Sequence, residues 1–327
     1  MVRLLYVKLN EVHAFKGTME VLHGVIPEAN WEFKRTETEK EDSKKGSKKR
    51  GKKAGKKEEP KTTIGGMKIM AVDATKSILV YLKLDANKFA EFQCAVPRLL
   101  IGVNMVKFFR MIKGMDKGDS LTMYVESETP DTLFLELESS KDSKKTGPSS
   151  NITLSLLDLD EDPYQIPPTD FESRVTMSLS DFSKNCKDLQ AIDNLVDIQC
   201  THGNLMLRSK DNGDIKEVKF PYDPSDEESP VMIEFSDKAD TKIVQGIFEL
   251  KHLVSFSKCV SFCLDIEIFM KNNYPLVIRF MVASLGRLYL CLTPIRIKNA
   301  DDDDDDEEDE FEDEDEYYDE EEVIEIA

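Results

Sequence analysis

Short segments in which apolar and polar residues alternate run through most of the chain. The apolar positions are rich in Val, Ile, Leu, Phe and Tyr. A period of two with such residues predicts β-strands that bury one face, so the protein is predicted to be mainly β. The segments are Ser77–Leu84, Ser120–Glu126, Thr132–Glu138, Ile152–Leu159, Arg174–Leu179, Leu205–Ser209, Ile215–Phe220, Asp265–Met270, Leu276–Ala283 and Leu288–Leu292.

Four other segments carry apolar residues at helical spacing, two in each half of the chain. They are Glu11–Val25, Asn104–Gly114, Ser180–Leu189 and Phe248–Cys259. Each half therefore reads as a strand, a helix, several strands, a second helix and several strands. This repeat of architecture predicts an α+β fold of two similar domains, although residue identities do not visibly repeat.

The two halves are separated by a segment that suits neither a helix nor a central strand. Pro163, Pro167 and Pro168 follow an acidic cluster there, and proline lacks the backbone donor that both structures need. We read the segment as an extended connector. The predicted organisation is a first domain at residues 1–158, the connector at 159–171, a second domain at 172–298 and an acidic tail at 299–327.

Charge is distributed in blocks along the chain. The formal net charge is −20, yet residues 301–327 hold 20 Asp and Glu and no Lys or Arg, so residues 1–300 balance 44 bases against 44 acids. Within that neutral body, Lys44–Lys57 contributes nine positive charges and no negative ones. Both the tail and the Lys/Gly/Ser insertion at about residues 38–61 are predicted to remain unpacked.

The cysteines indicate buried thiols instead of a metal centre or a disulfide framework. They are scattered through apolar segments without a CxxC pair, and His202 beside Cys200 has no second pair at zinc-ligand spacing. No stretch approaches the ~18 apolar residues of a membrane span. We expect an intracellular, soluble protein without a bound metal. The cysteines are Cys94, Cys186, Cys200, Cys259, Cys263 and Cys291.

Several apparent chemical motifs do not form a catalytic site. Asp158 and Asp160 fit alternate positions of a strand that runs into a solvated loop. The Lys-rich insertion resembles a phosphate-binding loop, but Lys53 stands where Ser or Thr must hold magnesium, and no apolar strand precedes it. The four histidines are not spaced to activate a nucleophile. We therefore predict a protein that is not an enzyme and has no cofactor or small-molecule substrate.

An ordered set of short motifs resembles the proliferating cell nuclear antigen family of DNA sliding clamps. The similarity covers roughly residues 1–36 and 64–296, and it rests on the order and spacing of the motifs together. The motifs are Asp73 before Ser77–Leu84, Leu100–Asn104 at a helix start, Asp131-Thr132-Leu133, Leu157-Asp158-Leu159-Asp160 before Ile166-Pro167, and Pro275-Leu276-Val277 before Leu292-Thr293-Pro294.

This resemblance implies a fold, an assembly and a function. In the family, three two-domain subunits close head to tail into a ring, with strands outside and helices lining the hole. The implied inter-subunit edges are Ile152–Leu159 and Asp214–Phe220. The implied function is that of a DNA polymerase processivity factor that encircles duplex DNA as a homotrimer. Expected partners are a DNA polymerase, the clamp loader, a flap nuclease and a ligase, in the nucleus or in a viral replication compartment.

Sliding requires attraction to DNA without base reading, so the contacts should be Lys and Arg to phosphate. The resemblance places such residues on all four predicted helices, whereas His23 and Ala191 stand where the family is usually more basic. The implied DNA-binding residues are Lys16, Arg110, Lys113, Lys184, Lys187, Lys251 and Lys258.

The resemblance also implies a pocket beneath the connector that takes a partner peptide with one aliphatic and two aromatic anchors. Val72 and Cys291 are smaller than the methionine and tyrosine usual in the family. The implied pocket residues are Val72, Leu79, Tyr164, Ile166, Pro275, Cys291, Leu292, Thr293 and Pro294.

Other interpretations remain open at this point. The acidic tail also suits a chaperone or scaffold protein, and a subunit of a heterotrimeric checkpoint clamp would share the fold. The insertion and the tail either serve nuclear import and solubility, or act together as an electrostatic gate on DNA and partner binding.

Overall fold

The computed structural model describes residues 2–10, 12–38, 62–139, 149–160, 169–226, 228–236 and 243–295. The basic run Lys44–Lys57, the connector positions Tyr164 and Ile166, and the acidic tail lie outside these residues. The domain boundaries given above therefore remain predictions.

The first half contains two α-helices and eleven strands among the described residues. In chain order they are β1 (Arg3–Leu9), α1 (Val12–Val25), β2 (Glu28–Lys34), β3 (Glu37–Thr38), β4 (Thr62–Thr63), β5 (Gly66–Val72), β6 (Ile78–Asp85), β7 (Glu91–Cys94), β8 (Arg98–Asn104), α2 (Met105–Ile112), β9 (Ser120–Glu126), β10 (Thr129–Glu138) and β11 (Ser149–Ser155).

The second half repeats this order. Its elements are β12 (Ser173–Ser178), α3 (Leu179–Gln190), β13 (Leu195–Thr201), β14 (Asn204–Asp211), β15 (Asp214–Pro221), β16 (Val231–Phe235), β17 (Ile243–Glu249), α4 (Leu250–Ser255), β18 (Asp265–Met270), β19 (Leu276–Val282) and β20 (Gly286–Leu292). A 3₁₀ segment at Phe256–Ser261 continues α4.

Strand pairing confirms the predicted α+β fold of two similar halves. β1 pairs with β7 and β9, and β12 pairs in the same way with β16 and β18. β2 lies between β5 and β8, as β13 lies between β14 and β17. The predicted repeat of architecture, which the residue identities do not show, is therefore confirmed.

Several predicted segments have different bounds in the structure, and two of these differences have a clear physical reason. The edge strand predicted at Ile152–Leu159 is β11, which ends at Ser155 because Leu157 N donates to Gly102 O and the chain crosses toward β8. The helix predicted from Phe248 begins at Leu250, because Phe248 pairs with Val196 in the sheet.

A nine-stranded sheet joins the halves through the pairing of β20 with β6. Alternate residues of β20 face opposite ways: Leu288 and Leu290 enter the main core with the helices, whereas Tyr289 belongs to a separate apolar cluster. We call the side that carries Tyr289 the outer face of this sheet.

The four helices form one layer over the main core. α1 packs against α2, and α3 packs against α4. Between α1 and α2, the rings of Phe15 and Phe108 make an edge-to-face contact with centroids 6.2 Å apart. Trp31 on β2 makes a second edge-to-face contact with Phe108, with centroids 4.7 Å apart. Across the halves, His13 Nε2 lies 3.0 Å from Ser261 O, so α1 also contacts the segment after α4.

Among the strands that lie at a sheet edge in the described chain, β11 and β15 each pair on one side only. β11 pairs with β10, and β15 pairs with β14. In the repeat, β11 corresponds to β20 and β15 corresponds to β6, which pair with each other across the halves. Exposed edges of this kind present unpaired backbone groups.

Candidate functional site

Exposed cations on the helical layer form the first candidate site. Asn104 caps α2 by accepting a hydrogen bond from Lys107 N at 2.9 Å, and Lys107, Arg110 and Lys113 then follow at intervals of three. Residues three apart lie on neighbouring turns of one helix face, and all three are exposed. Lys107 is not among the DNA-binding residues that the resemblance implied, although its spacing from Arg110 could have indicated it.

The second half contributes cations to the same layer. Lys184 and Lys187 are exposed on α3, and Lys258 is exposed on the 3₁₀ segment. None of these three, nor Arg110 or Lys113, has an ion-pair partner within the part of the chain that the structure describes. They are therefore available to phosphate groups.

Two of the expected DNA-binding lysines are already engaged. Lys16 Nζ donates to Met115 O at 2.5 Å, so it holds the segment that follows α2. Lys251 Nζ pairs with the Glu249 carboxylate, and His252 Nε2 lies 3.1 Å from the same carboxylate. The Lys251 hydrogen bond keeps the pKa of Glu249 below its ordinary value. Lys16 and Lys251 are thus less free than the other five.

The helical layer is basic while the remainder of the body is not. α1 to α4 and the 3₁₀ segment hold seven Lys and Arg against three Asp and Glu. His23 stacks on Phe109, with ring centroids 4.3 Å apart and an interplanar angle of 15°, which accounts for a turn of α1 without a lysine. A basic surface of long, mobile side chains attracts a polyanion without reading its sequence.

The described residues contain no group of three or more His, Cys, Asp or Glu side chains placed to hold a metal ion. Burial raises the pKa of Cys186 to about 12 and that of Cys200 to about 11. Thiols with such values are protonated at neutral pH and are poor nucleophiles.

Part of the predicted partner pocket lies on the outer face of the nine-stranded sheet. Leu79 is paired with Cys291 and with Val72 in the sheet register. Cys291 is also paired with Val277, which lies two residues after Pro275. Leu79, Val72, Cys291 and Pro275 are each partly buried. They form a shallow apolar strip across the junction of the two halves.

An aromatic cluster continues this strip. Phe269, Val277 and Tyr289 are buried on the outer face, and Tyr81 and Phe171 pack against them. The centroids of Tyr81 and Tyr289 are 5.7 Å apart, and those of Phe171 and Phe269 are 5.5 Å apart. Sequence reasoning missed these residues, although Tyr81 alternates with Leu79 and Tyr289 alternates with Cys291.

The last three predicted pocket residues lie at a separate place. Leu292 faces the main core, and together with Thr293 and Pro294 it borders a cavity of about 180 Å³ between the halves. Thr293 N donates to Ser77 O at 3.0 Å across this boundary. The predicted pocket is therefore divided between the outer-face strip and this cavity. The other residues lining the cavity are Thr75, Lys76, Ser77, Glu249, His252 and Ile295.

Polar groups line the cavity at Glu249 and His252, and Asp73 lies behind the lining residue Thr75. Burial favours a raised pKa for Asp73, but hydrogen bonds from Thr75 and Ile78 to its carboxylate outweigh burial and lower the pKa. Burial lowers the pKa of His252. The cavity is thus bordered by the Glu249 carboxylate and the His252 imidazole, and the pKa of each is lowered.

The fold and this basic layer define a DNA-clamp architecture of two repeated halves. Two family models match the chain: the proliferating cell nuclear antigen C-terminal domain at residues 165–295 and the N-terminal domain at residues 61–165. The chain belongs to the proliferating cell nuclear antigen family.

Individual relatives are more distant in sequence. A probable DNA polymerase sliding clamp of Acanthamoeba polyphaga mimivirus is 29% identical over 73% of this chain, a match that spans only 49% of that relative. Probable DNA polymerase sliding clamp 1 of Paramecium bursaria Chlorella virus 1 is 25% identical over 70% of the chain and 84% of the relative. The proliferating cell nuclear antigen of Caenorhabditis elegans is 24% identical, with the same coverage.

A solved structure shares the fold. The crystal structure of the proliferating cell nuclear antigen of Entamoeba histolytica superposes with a TM-score of 0.70 at 20% identity, covering 90% of this chain and all of that one. Among the helices of the described residues, none has the length and hydropathy of a membrane span.

Proposed function

We propose that this protein is a DNA sliding clamp: a processivity factor for DNA polymerase that encircles duplex DNA as a homotrimer and catalyses no reaction itself. The observation that carries this proposal is the basic helical layer of an otherwise acidic body. Seven Lys and Arg stand against three Asp and Glu on these elements. Membership of the family, and the printed names of the viral relatives, support the same function.

The repeat supports the ring. β20 and β6 join two halves within the chain, and their counterparts β11 and β15 are free edges. If β11 of one subunit pairs with β15 of the next, the interface is heterologous and closes when the rotation permits. Ile215 on β15 is 59% exposed and would be covered by the neighbour.

The mass of the particle in solution tests the assembly. We expect light scattering to give the mass of three chains, and Ile215→Asp to lower it toward one chain. Met281→Asp is the matched control, because Met281 is 46% exposed on the outer face, away from both edges. A stable monomer of the unaltered chain would exclude the homotrimer, and a requirement for two different companion chains would favour the checkpoint clamp.

The helical layer is tested by removing four free cations together. Arg110, Lys113, Lys187 and Lys258 changed to Ala should leave the trimer intact and impair polymerase stimulation on primed DNA, because phosphate contacts supply the attraction. The matched control changes four exposed cations elsewhere to Ala. Unchanged processivity at moderate salt would contradict the assignment. The control residues are Lys83, Lys88, Lys210 and Arg287.

The outer-face strip and the cavity are proposed to take partner peptides, with Tyr164 and Ile166 contributed by the connector. The partners proposed from the family are a DNA polymerase, the clamp loader, a flap nuclease and a ligase. Viral and eukaryotic relatives support a site of action in the nucleus or in a viral replication compartment. No observation on the described residues favours the chaperone or scaffold alternative.

A further inference from the structure

The described chain ends against β17, the strand that leads into helix α4. Ile295 N donates to Ile247 O at 2.8 Å, and Ile247 lies on β17 three residues before α4 begins. The tail that follows holds 20 Asp and Glu and no Lys or Arg over residues 301–327. At roughly 3.3 Å per extended residue these 27 residues reach about 90 Å, which is far longer than any helix of the layer.

The layer offers the complementary charge. Arg110, Lys113, Lys184, Lys187 and Lys258 are exposed and have no ion-pair partner within the described ranges. A polyanion of carboxylates can neutralise such side chains as a phosphate backbone does, because neither contact depends on base edges.

The basic insertion emerges at the opposite end of the nine-stranded sheet. The short strand β4 follows the insertion and leads into β5, which starts at Gly66. Gly66 is paired with Asp85, next to the pairing of Leu84 with Gly286 at the start of β20. The tail leaves the sheet after Leu292 at the end of β20. Six residue steps of about 3.3 Å separate the two ends of β20 by about 20 Å, whereas Ile295 is bonded to β17, the strand that leads into α4.

We propose that the acidic tail binds the basic helical layer of its own ring and competes with DNA for it. The competition with DNA rests on the proposed function, whereas the contact between tail and layer does not. The tail would act as a tethered competitor whose effective concentration is set by its length. DNA that carries more negative charge than the tail, or DNA that the ring already encircles, would displace the tail from the layer.

Binding of the tail as a separate peptide tests the contact directly. The receptor is the full-length chain in which the 20 acidic residues of the tail are changed to Asn and Gln, and the probe is a labelled peptide of residues 301–327. We expect binding at about 50 mM salt that is lost by about 300 mM. Adding the four substitutions Arg110→Ala, Lys113→Ala, Lys187→Ala and Lys258→Ala should weaken it about fivefold or more.

Two further receptors identify the surface. The control set Lys83→Ala, Lys88→Ala, Lys210→Ala and Arg287→Ala should change peptide affinity less than about twofold. Changing the nine basic residues of Lys44–Lys57 to Gln should also leave it nearly unchanged. If the insertion variant loses the peptide and the helical variant keeps it, the tail pairs with the insertion and the proposal is wrong.

Duplex DNA binding completes the test. The full-length chain with the neutralised tail should bind a short duplex about threefold tighter than the unaltered chain at about 50 mM salt, and the gain should vanish in the helical variant. A gain in DNA affinity without peptide binding overturns the proposal, because simple charge repulsion explains it. If the peptide binds the layer and DNA does not, the proposed function fails while the tail contact stands.

Discussion

The contact of α1 with the second half gives a prediction with a matched control in the same helix. A Cβ at Gly17 would lie 2.7 Å from Phe262 Cδ1 and 2.8 Å from Ser261 Oγ, closer than real Cβ atoms approach. A Cβ at Gly24 would have no atom within 4 Å. Gly17→Ala and Gly24→Ala therefore add the same methyl group in a crowded and in an open place.

The two substitutions should have opposite effects on stability. Ala favours a helix over Gly by about 0.8–1.0 kcal/mol in a helix interior, so Gly24→Ala should stabilise, by less than this because it lies near the end of α1. At Gly17 the same gain opposes an overpacking cost of about 1–3 kcal/mol, because the partly buried Phe262 ring must move. The net expectation is a loss of about 1 kcal/mol.

Equilibrium unfolding in urea, at one protein concentration for all variants, measures the difference. We expect the free energy of unfolding of Gly17→Ala to lie about 1–2 kcal/mol below that of Gly24→Ala. Equal stabilisation by both substitutions would show that Phe262 moves freely and that the crossing of α1 over Ser261–Phe262 does not fix the two halves of the basic layer.

Three further predictions concern single contacts. Lys16→Met should lower the free energy of unfolding by about 1 kcal/mol through the lost bond to Met115 O, measured by urea unfolding beside Lys113→Met; a loss of DNA affinity without a loss of stability would restore Lys16 as a phosphate contact. The fold lowers the pKa of Asp73, so the ionised carboxylate stabilises the folded chain at pH values above the pKa of Asp73 in the unfolded chain, and this contribution is lost as pH falls through the folded pKa. The difference in free energy of unfolding between the unaltered chain and Asp73→Asn should therefore shrink between about pH 5 and pH 3. A difference that stays constant over this range would contradict the prediction. Tyr164→Ala with Ile166→Ala should abolish binding of a labelled partner peptide, at about 2 kcal/mol or more for each anchor, while the trimer persists; equal binding by both versions would place the pocket elsewhere.

Strands that alternate in burial were readily predicted from the sequence. β6 and β12 alternate buried and more exposed residues and were predicted within a residue or two. In β8, Ile101, Gly102 and Val103 are all buried in succession, because Leu157 O approaches within 2.3 Å of the position of a Cβ on Gly102. Burial of both faces removes the period of two on which the prediction depends.

The candidate DNA-binding residues show a similar division. The resemblance placed Arg110, Lys187 and Lys258 on the helices that the structure assigns to one layer, since local spacing determines which side of a helix is exposed. The engagement of Lys16 by Met115 depends on residues 99 positions apart, which no local pattern reveals.

The division of the partner pocket followed from a rule already available in the sequence. Successive residues of a strand point to opposite faces, so Leu292 on β20 had to face away from its neighbour Cys291. The assignment of both Cys291 and Leu292 to one pocket, taken from the family resemblance, did not consider this alternation. The cavity between the halves, in contrast, depends on the contacts of Thr293 with Ser77 and of Ile295 with Ile247, which appear only in the folded chain.

In the proposed ring, corresponding strands pair at two kinds of junction: β20 with β6 within a chain, and β11 with β15 between chains. The two junctions differ in residue composition. Within the chain, β20 and β6 bring together Leu290 with Val80 and Leu288 with Leu82, all fully buried. The corresponding edge β11 has the sequence SSNITLS, in which Leu154 is its one buried residue. β15 carries four charged residues, and Phe220 is its one buried residue. Because burial of apolar surface provides most of the association energy, the junction between chains should be much weaker than the junction within a chain. A ring that must open to admit DNA would then separate at β11 and β15, while each subunit stays folded around β20 and β6.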